Sequence, residues 1–140
     1  MLDSVIDRSS TCVCLRAGEP FAGKQGFTYA AAISAETVGA SAIHMQLLAV
    51  PPGTRAKAHK HAVRETALYV LTGEVGMFYG EKLKSHMVTR AGDFVYIPAN
   101  TPHLPYNMSQ TDPATAVISR TDPNEQESVV MLPELDTIHS

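Results

Sequence analysis

The sequence predicts an all-β fold, a barrel of jelly-roll type, on two observations. Its apolar segments are short, and Gly, Pro, Asn or Asp interrupts them at regular intervals, which is typical of strands joined by turns. No segment repeats apolar residues with the period of a long helix. The predicted strands are Phe27–Ile33, Ala42–Val50, Ala56–Lys60, Ala67–Leu71, Val75–Tyr79, Ser85–Thr89, Phe94–Ile97, Leu104–Asn107 and Thr115–Arg120.

Three short sequences mark turns between these strands. Pro51-Pro52-Gly53 must interrupt a hydrogen-bonded ladder, because proline has no amide hydrogen to donate and glycine readily adopts a positive φ. Thr72-Gly73-Glu74 and Gly80-Glu81-Lys82 each separate two apolar runs, as hairpin turns do. The strands on either side of these two turns are therefore predicted to form a meander.

The length and composition predict one domain with two terminal segments. A chain of 140 residues that is 44% hydrophobic and 18% charged can bury a core without disulfide bonds. We expect the barrel at residues 26–120 and an N-terminal extension at residues 1–25. Residues 121–140 are acidic and polar around a short apolar piece, so we expect a tail that packs on the barrel or on a partner subunit. Terminal segments that cover sheet edges favour a homodimer.

Charge and cysteine content limit the classes of partner and the compartment. With 11 Lys and Arg against 14 Asp and Glu, the chain has no broad positive field for nucleic acid. Asp3 and Asp7 lie where a signal peptide needs a basic head and an apolar run, and no segment approaches membrane-spanning length. We expect a cytoplasmic protein without a membrane partner. Cys12 and Cys14 lack a second pair to complete a zinc site, so we expect inert, reduced thiols.

The residues with the most informative chemistry are histidines. His59 and His61 are two residues apart, so both imidazoles leave the same face of a pleated strand and can reach one ion. Glu65 can reach that ion from the next turn or strand, and His103 follows in a proline-bounded turn far along the chain. An HxH pair alone is often two surface histidines, but the additional candidates favour a metal site.

Two segments carrying these residues resemble the signature motifs of the cupin superfamily, G-x5-H-x-H-x3or4-E-x6-G and G-x5-P-x-G-x2-H-x3-N. The resemblance covers residues 53–107 and is nearest to compact one-domain bacterial cupins. Seven residues instead of six separate Glu65 from Gly73, which suggests a bulge. Asn100 replaces a glycine, which is a mild change because Asn tolerates the left-handed region. The matching turn residues are Gly53, Gly73, Gly92, Pro98 and Asn107.

The resemblance implies a barrel that holds one divalent metal ion per chain. By position, the ligands are His59, His61, Glu65 and His103. Three imidazoles and one carboxylate suit iron, manganese, nickel or zinc almost equally. Because the extra residue before Gly73 displaces the motif, we expect Glu65 to contribute less to metal binding than the histidines.

Four further polar residues leave alternatives open. Arg55 and Lys57 share strand parity with the histidine pair, so they either face the metal and bind an acidic substrate or, as long cationic side chains usually do, reach solvent. His44 and Gln46 alternate with apolar residues, so they either line a cavity or are buried with ordinary hydrogen-bond partners.

The resemblance leaves the reaction open, because cupins with similar ligands include dioxygenases, decarboxylases, isomerases and lyases. We expect a metal-dependent enzyme that acts on a small organic substrate. An iron-dependent dioxygenase is slightly favoured, since two adjacent open positions on iron would bind a chelating substrate and oxygen together. The alternatives are a non-oxidative manganese or zinc isomerase or decarboxylase, acting by polarisation of a carbonyl, and a non-catalytic metabolite-binding cupin.

Overall fold

Antiparallel strands are the main secondary structure of the computed structural model, which describes residues 5–7, 11–124 and 128–139. One short helix, α1 (Ala35–Val38), and two 3-10 turns, Glu81–Leu83 and Pro133–Leu135, accompany them. The strands are β1 (Val5–Asp7), β2 (Cys14–Leu15), β3 (Pro20–Ala22), β4 (Thr28–Ile33), β5 (His44–Val50), β6 (His59–Lys60), β7 (Thr66–Thr72), β8 (Glu74–Tyr79), β9 (Ser85–Arg90), β10 (Phe94–Ile97), β11 (His103–Asn107), β12 (Ala114–Arg120) and β13 (Val130–Met131).

Two large sheets form the barrel. The first has six strands in the order β10-β7-β12-β5-β4-β3, and the second has five in the order β13-β6-β11-β8-β9. Strands β1 and β2 pair separately. This arrangement confirms the predicted all-β jelly-roll fold. Within the described residues, no helix has the length and hydropathy needed to span a membrane.

Each predicted strand overlaps an observed one, but the first histidine strand is shorter than expected. The sequence predicts Ala56–Lys60, whereas β6 contains only His59 and Lys60. The amide groups of the three preceding residues donate to three different parts of the chain, so they cannot form a ladder with one strand. Their acceptors are the Pro105 carbonyl at 2.8 Å, the Gln25 carbonyl at 2.8 Å and the Asp136 carboxylate at 2.6 Å.

The segment Thr72-Gly73-Glu74 is not the hairpin that the sequence predicts. It carries the chain from β7 in the six-stranded sheet to β8 in the five-stranded sheet. Gly73 has φ +83, and a Cβ there would lie 2.8 Å from the Cβ of Ala114, so both the crossing angle and the close approach require glycine. Strands β8 and β9 do pair with each other around the second predicted turn.

The core lies between the sheets and is built by alternation along the strands. In β12 every second residue is buried, namely Ala114, Ala116, Ile118 and Arg120. The first three belong to the apolar core with Phe27 and Val50. Arg120 has the same parity, so the fold points a guanidinium into the interior at the end of an apolar row.

The described part of the C-terminal tail packs against β6. Strand β13 pairs with β6, with Met131 opposite His59, and the Leu132 amide donates to the Ala58 carbonyl at 2.9 Å. Residues before 26 also contribute to the sheets, because β3 pairs with β4 at the edge of the six-stranded sheet. Both terminal segments therefore add edge strands to the sheets, which limits the exposure of unpaired backbone groups.

Candidate metal centre

Three buried imidazoles from two segments meet inside the barrel. His59 lies in β6 and His61 directly after it, and His103 begins β11, where it pairs with His59 across the sheet. Each of the three side chains is 2% exposed. One nitrogen from each ring lies within 4.8 Å of the others, a spacing at which the three can hold one ion.

The second nitrogen of each ring contacts a backbone carbonyl. Nδ1 of His59 donates to the Lys57 carbonyl at 2.7 Å, and Nδ1 of His61 donates to the Ser128 carbonyl at 2.8 Å. Nδ1 of His103 donates to the Thr101 carbonyl at 2.9 Å. A carbonyl oxygen only accepts, so the proton lies on Nδ1 and the lone pair on Nε2. Nε2 of His61 is buried without a hydrogen bond. This donor set fits a divalent metal, for which a neutral, oriented imidazole is the ordinary ligand.

All three imidazoles are held in the neutral form that binds metal. Burial lowers the pKa of His61 to about 3 and that of His103 to about 4, and the positive charge of Arg120 contributes to both decreases. Burial and the neighbouring His103 lower the pKa of His59 well below its usual value. Protons therefore compete weakly with a metal at neutral pH.

The C-terminal tail fixes the orientation of His61. The carbonyl that accepts from His61 belongs to Ser128, whose own amide donates to the Asp122 carboxylate at 2.8 Å. The backbone amide of Asn124 also donates to Asp122, at 3.1 Å. Burial alone would raise the pKa of Asp122, but these hydrogen bonds and Arg64 hold the pKa below its usual value. Asp122 is thus a buried, ionised carboxylate that holds the backbone of Asn124 and Ser128, and Ser128 in turn accepts from His61.

Glu65 does not join the histidines, contrary to the sequence prediction of a fourth ligand. Its side chain is exposed, and its Oε1 accepts a hydrogen bond from the hydroxyl of Tyr96 at 2.7 Å on the outer surface of the six-stranded sheet. The group that can hold a metal within the described residues contains the three histidines only. The physical reason is strand parity, since Glu65 has the outward parity of β7.

The inward position is Thr66, which the sequence analysis missed. Thr66 is 1% exposed, lies opposite Arg120 in the pairing of β7 with β12, and accepts a hydrogen bond from Arg120 Nε at 2.8 Å. The spacing of the motif residues could have identified Thr66. Six residues separate Thr66 from Gly73 and four separate it from His61, so Thr66 satisfies the motif in register and Glu65 does not.

A small cavity adjoins the histidines. Its volume is about 60 Å³, its basic lining side chains are His59, His103 and Arg120, and most of the others are apolar, among them Val70 and Ile118. An apolar cavity of about 150 Å³ binds benzene. The cavity as it stands therefore suits a ligand smaller than an aromatic ring.

The other polar candidates are outside the cavity lining. Arg55 and Lys57 are exposed, as their solvent alternative predicted, and Arg55 donates to the His139 carbonyl at 3.1 Å. His44 and Gln46 are buried in β5, and Nδ1 of His44 contacts the Asp122 carbonyl at 2.5 Å. The contacts of Arg55 and His44 favour structural roles for these two residues.

The sequence between residues 46 and 119 matches the family described as Cupin domain, which is more than half of the chain. The chain belongs to the cupin family. Comparison of this cupin with curated proteins yields no match.

The fold of this cupin is similar to that of oxalate decarboxylases. The Bacillus subtilis enzyme at pH 4.6 superposes with a TM-score of 0.66 and 21% identity over 81% of this chain and 29% of that one. The Lactobacillus farciminis enzyme in a formate complex superposes with a TM-score of 0.67 and 18% identity, over 81% of this chain and 33% of that one. A Bacillus subtilis oxalate decarboxylase structure concerned with Mn(II) centres superposes with a TM-score of 0.66 and 20% identity, over 81% of this chain and 30% of that one. This cupin spans about a third of their length, and at these identities the likeness shows the fold alone.

Proposed function

We propose that this cupin is an enzyme that binds one divalent metal ion through His59, His61 and His103 and acts on a small organic molecule. The observation that carries the proposal is the convergence of three buried imidazoles whose Nδ1 groups are held by carbonyls and whose Nε2 lone pairs point to one place. A bound divalent ion would supply Lewis acidity to a coordinated substrate oxygen.

The protein groups around this site act by orientation and by exclusion of water. The three carbonyl contacts fix each ring, so the ligand geometry exists before metal or substrate arrives. The apolar walls of the cavity keep bulk water from the substrate, which strengthens electrostatic interactions inside.

Two reaction classes are supported by different observations. Non-oxidative decarboxylation is favoured by the small cavity, which suits a short acid better than a catechol, and by the fold shared with oxalate decarboxylases. An iron-dependent dioxygenase is favoured by the ligand count, because three protein ligands leave room for a chelating substrate and oxygen together. We place the decarboxylase first.

The first experiment is the metal content of the protein purified without added metal. We expect about one divalent first-row ion per chain, and we expect His59→Ala or His103→Ala to abolish it, since each removes one of three imidazoles. Glu65→Gln is the matched comparison and should retain the metal because its side chain lies outside the cluster. Full metal retention by both histidine variants would contradict the proposed site.

The second experiment identifies the reaction. The metal-free protein is reconstituted anaerobically with iron, manganese, nickel or zinc and supplied with catechols, β-diketones, 2-oxo acids and short dicarboxylic acids, while oxygen uptake and carbon dioxide release are recorded. Carbon dioxide release without oxygen uptake supports the decarboxylase. Oxygen uptake with iron alone supports the dioxygenase, and binding without turnover for every metal indicates a metabolite-binding protein.

A further inference from the structure

The peptide group between Lys57 and Ala58 uses both of its polar atoms in hydrogen bonds to side chains. Its carbonyl oxygen, from Lys57, accepts from Nδ1 of His59 at 2.7 Å. Its amide, from Ala58, donates to Oδ1 of Asp136 at 2.6 Å. One continuous chain of hydrogen bonds therefore joins the Asp136 carboxylate, the peptide group and an imidazole of the candidate metal centre.

The C-terminal segment holds Asp136 in place against this peptide group. A 3-10 turn, Pro133–Leu135, directly precedes Asp136, and the Leu132 amide donates to the Ala58 carbonyl at 2.9 Å. Leu132 and Leu135 pack against the apolar cluster that contains Ala58. Ala58 is 0% exposed, so the bond from its amide to the carboxylate lies in a medium of low dielectric, where hydrogen bonds are stronger than in water.

A carboxylate at one end of such a chain strengthens the hydrogen bond at the other end. Because hydrogen bonds in series polarise one another, an acceptor on the amide hydrogen increases the negative charge on the carbonyl oxygen of the same peptide group. That oxygen then accepts more strongly from Nδ1 of His59, which makes Nε2 a more basic metal ligand. His103 provides an internal comparison, because its acceptor, the Thr101 carbonyl, is followed by Pro102, whose nitrogen has no hydrogen to donate.

We propose that Asp136 is a positioning residue of the metal centre, which acts on His59 through the peptide group between Lys57 and Ala58 and raises the metal affinity of the site. This inference rests on the metal-binding function proposed above. The C-terminal segment would then act on two of the three histidines, on His59 through Asp136 and on His61 through the Ser128 carbonyl.

The first measurement is zinc affinity by chelator competition. Asp136→Ala should weaken zinc binding about 10-fold or more, in keeping with other groups that orient a ligand. Asp136→Asn should weaken it less, because its amide oxygen still accepts from Ala58 but without the negative charge. Glu134→Ala is the matched control, since it removes the same charge from an exposed position in the adjacent 3-10 turn and should leave the affinity unchanged. Equal affinities in Asp136→Ala and Glu134→Ala overturn the inference.

The second measurement separates this role from a merely structural one. In the NMR spectrum of the metal-free protein, Asp136→Ala should move the Nδ1 proton resonance of His59 upfield, because its acceptor becomes weaker. The corresponding resonance of His103 should stay in place. An equal shift of both resonances, or no shift of either, contradicts the inference. If Asp136→Ala does not fold, Asp136→Asn takes its place, and an unchanged His59 resonance in that variant overturns the inference.

These measurements also separate the inference from the proposed function. If the wild-type protein binds no zinc but the His59 resonance responds to Asp136→Ala, the hydrogen-bond chain stands and the metal function fails. If it binds one zinc ion with an affinity that Asp136→Ala does not change, the metal function stands and the role of Asp136 fails.

Discussion

The stability of the metal-free protein should fall steeply as the pH is lowered from about 7 to about 5. His59, His61 and His103 are neutral in the folded protein because burial lowers their pKa values, to about 3 for His61 and about 4 for His103. In the unfolded chain their pKa returns to about 6.5. The unfolded state therefore binds more protons below about pH 6.5, and the free energy of unfolding decreases as the pH falls towards the folded pKa values.

The magnitude follows from linkage. Each histidine that stays neutral in the folded protein lowers the free energy of unfolding by about 1.4 kcal/mol for each pH unit below its unfolded pKa. Between about pH 7 and pH 5 this lowers the free energy of unfolding by about 2 kcal/mol per histidine. Three such histidines together lower the free energy of unfolding by about 6 kcal/mol, which is comparable to the whole stability of a small domain, about 5 to 15 kcal/mol. Above about pH 6.5 the contribution is fully retained.

The assay is urea unfolding in the presence of a chelator, followed by circular dichroism at several pH values. His103→Gln should reduce the pH-dependent loss by about one third, because one of the three buried imidazoles is gone. His86→Gln removes an exposed histidine instead and should leave the loss unchanged. A free energy of unfolding that does not vary between these pH values would refute the reasoning.

Three further outcomes are expected. Asp122→Asn should weaken metal binding about 10- to 100-fold, measured by chelator competition, because it loosens Ser128, whose carbonyl orients His61. Gly73→Ala should destabilise the fold by about 2 to 4 kcal/mol, measured by urea unfolding, since its Cβ would meet Ala114 at a positive φ. Light scattering at micromolar concentration should show a homodimer, because Tyr69, Phe94 and Tyr96 form an exposed aromatic patch on the six-stranded sheet, and a pure monomer would contradict this.

The parts of this protein that the sequence predicts well depend on period and spacing. Alternating residues and Gly/Pro turns are local signals, so the strands were located within a few residues. His59 and His61, which are two residues apart, needed only strand parity to be placed on one face. His103 needed the second motif, because its position opposite His59 depends on the pairing of β11 with β6.

The structure places Glu65 apart from the three histidines because a shift of one residue changes the face of a strand. Glu65 and Thr66 both fit the spacing after His61, and carboxylate chemistry favoured Glu65. The pairing of β7 with β12 has a register irregularity near the C-terminal end of β7, opposite Thr115 and Ala116 of β12. The extra residue between Glu65 and Gly73 suggested such a bulge. That irregularity does not turn Glu65 inward, and only the paired strands reveal which of the two residues faces the interior.

Other features of the site leave no trace in the sequence. Arg120 ends a predicted strand, where a charged residue normally marks the approach to solvent, and its burial depends on β7 across the sheet. The carbonyl that orients His61 comes from Ser128, and a backbone carbonyl is supplied by any residue type. Its position depends on the hydrogen bond from the Ser128 amide to Asp122, which no local pattern encodes.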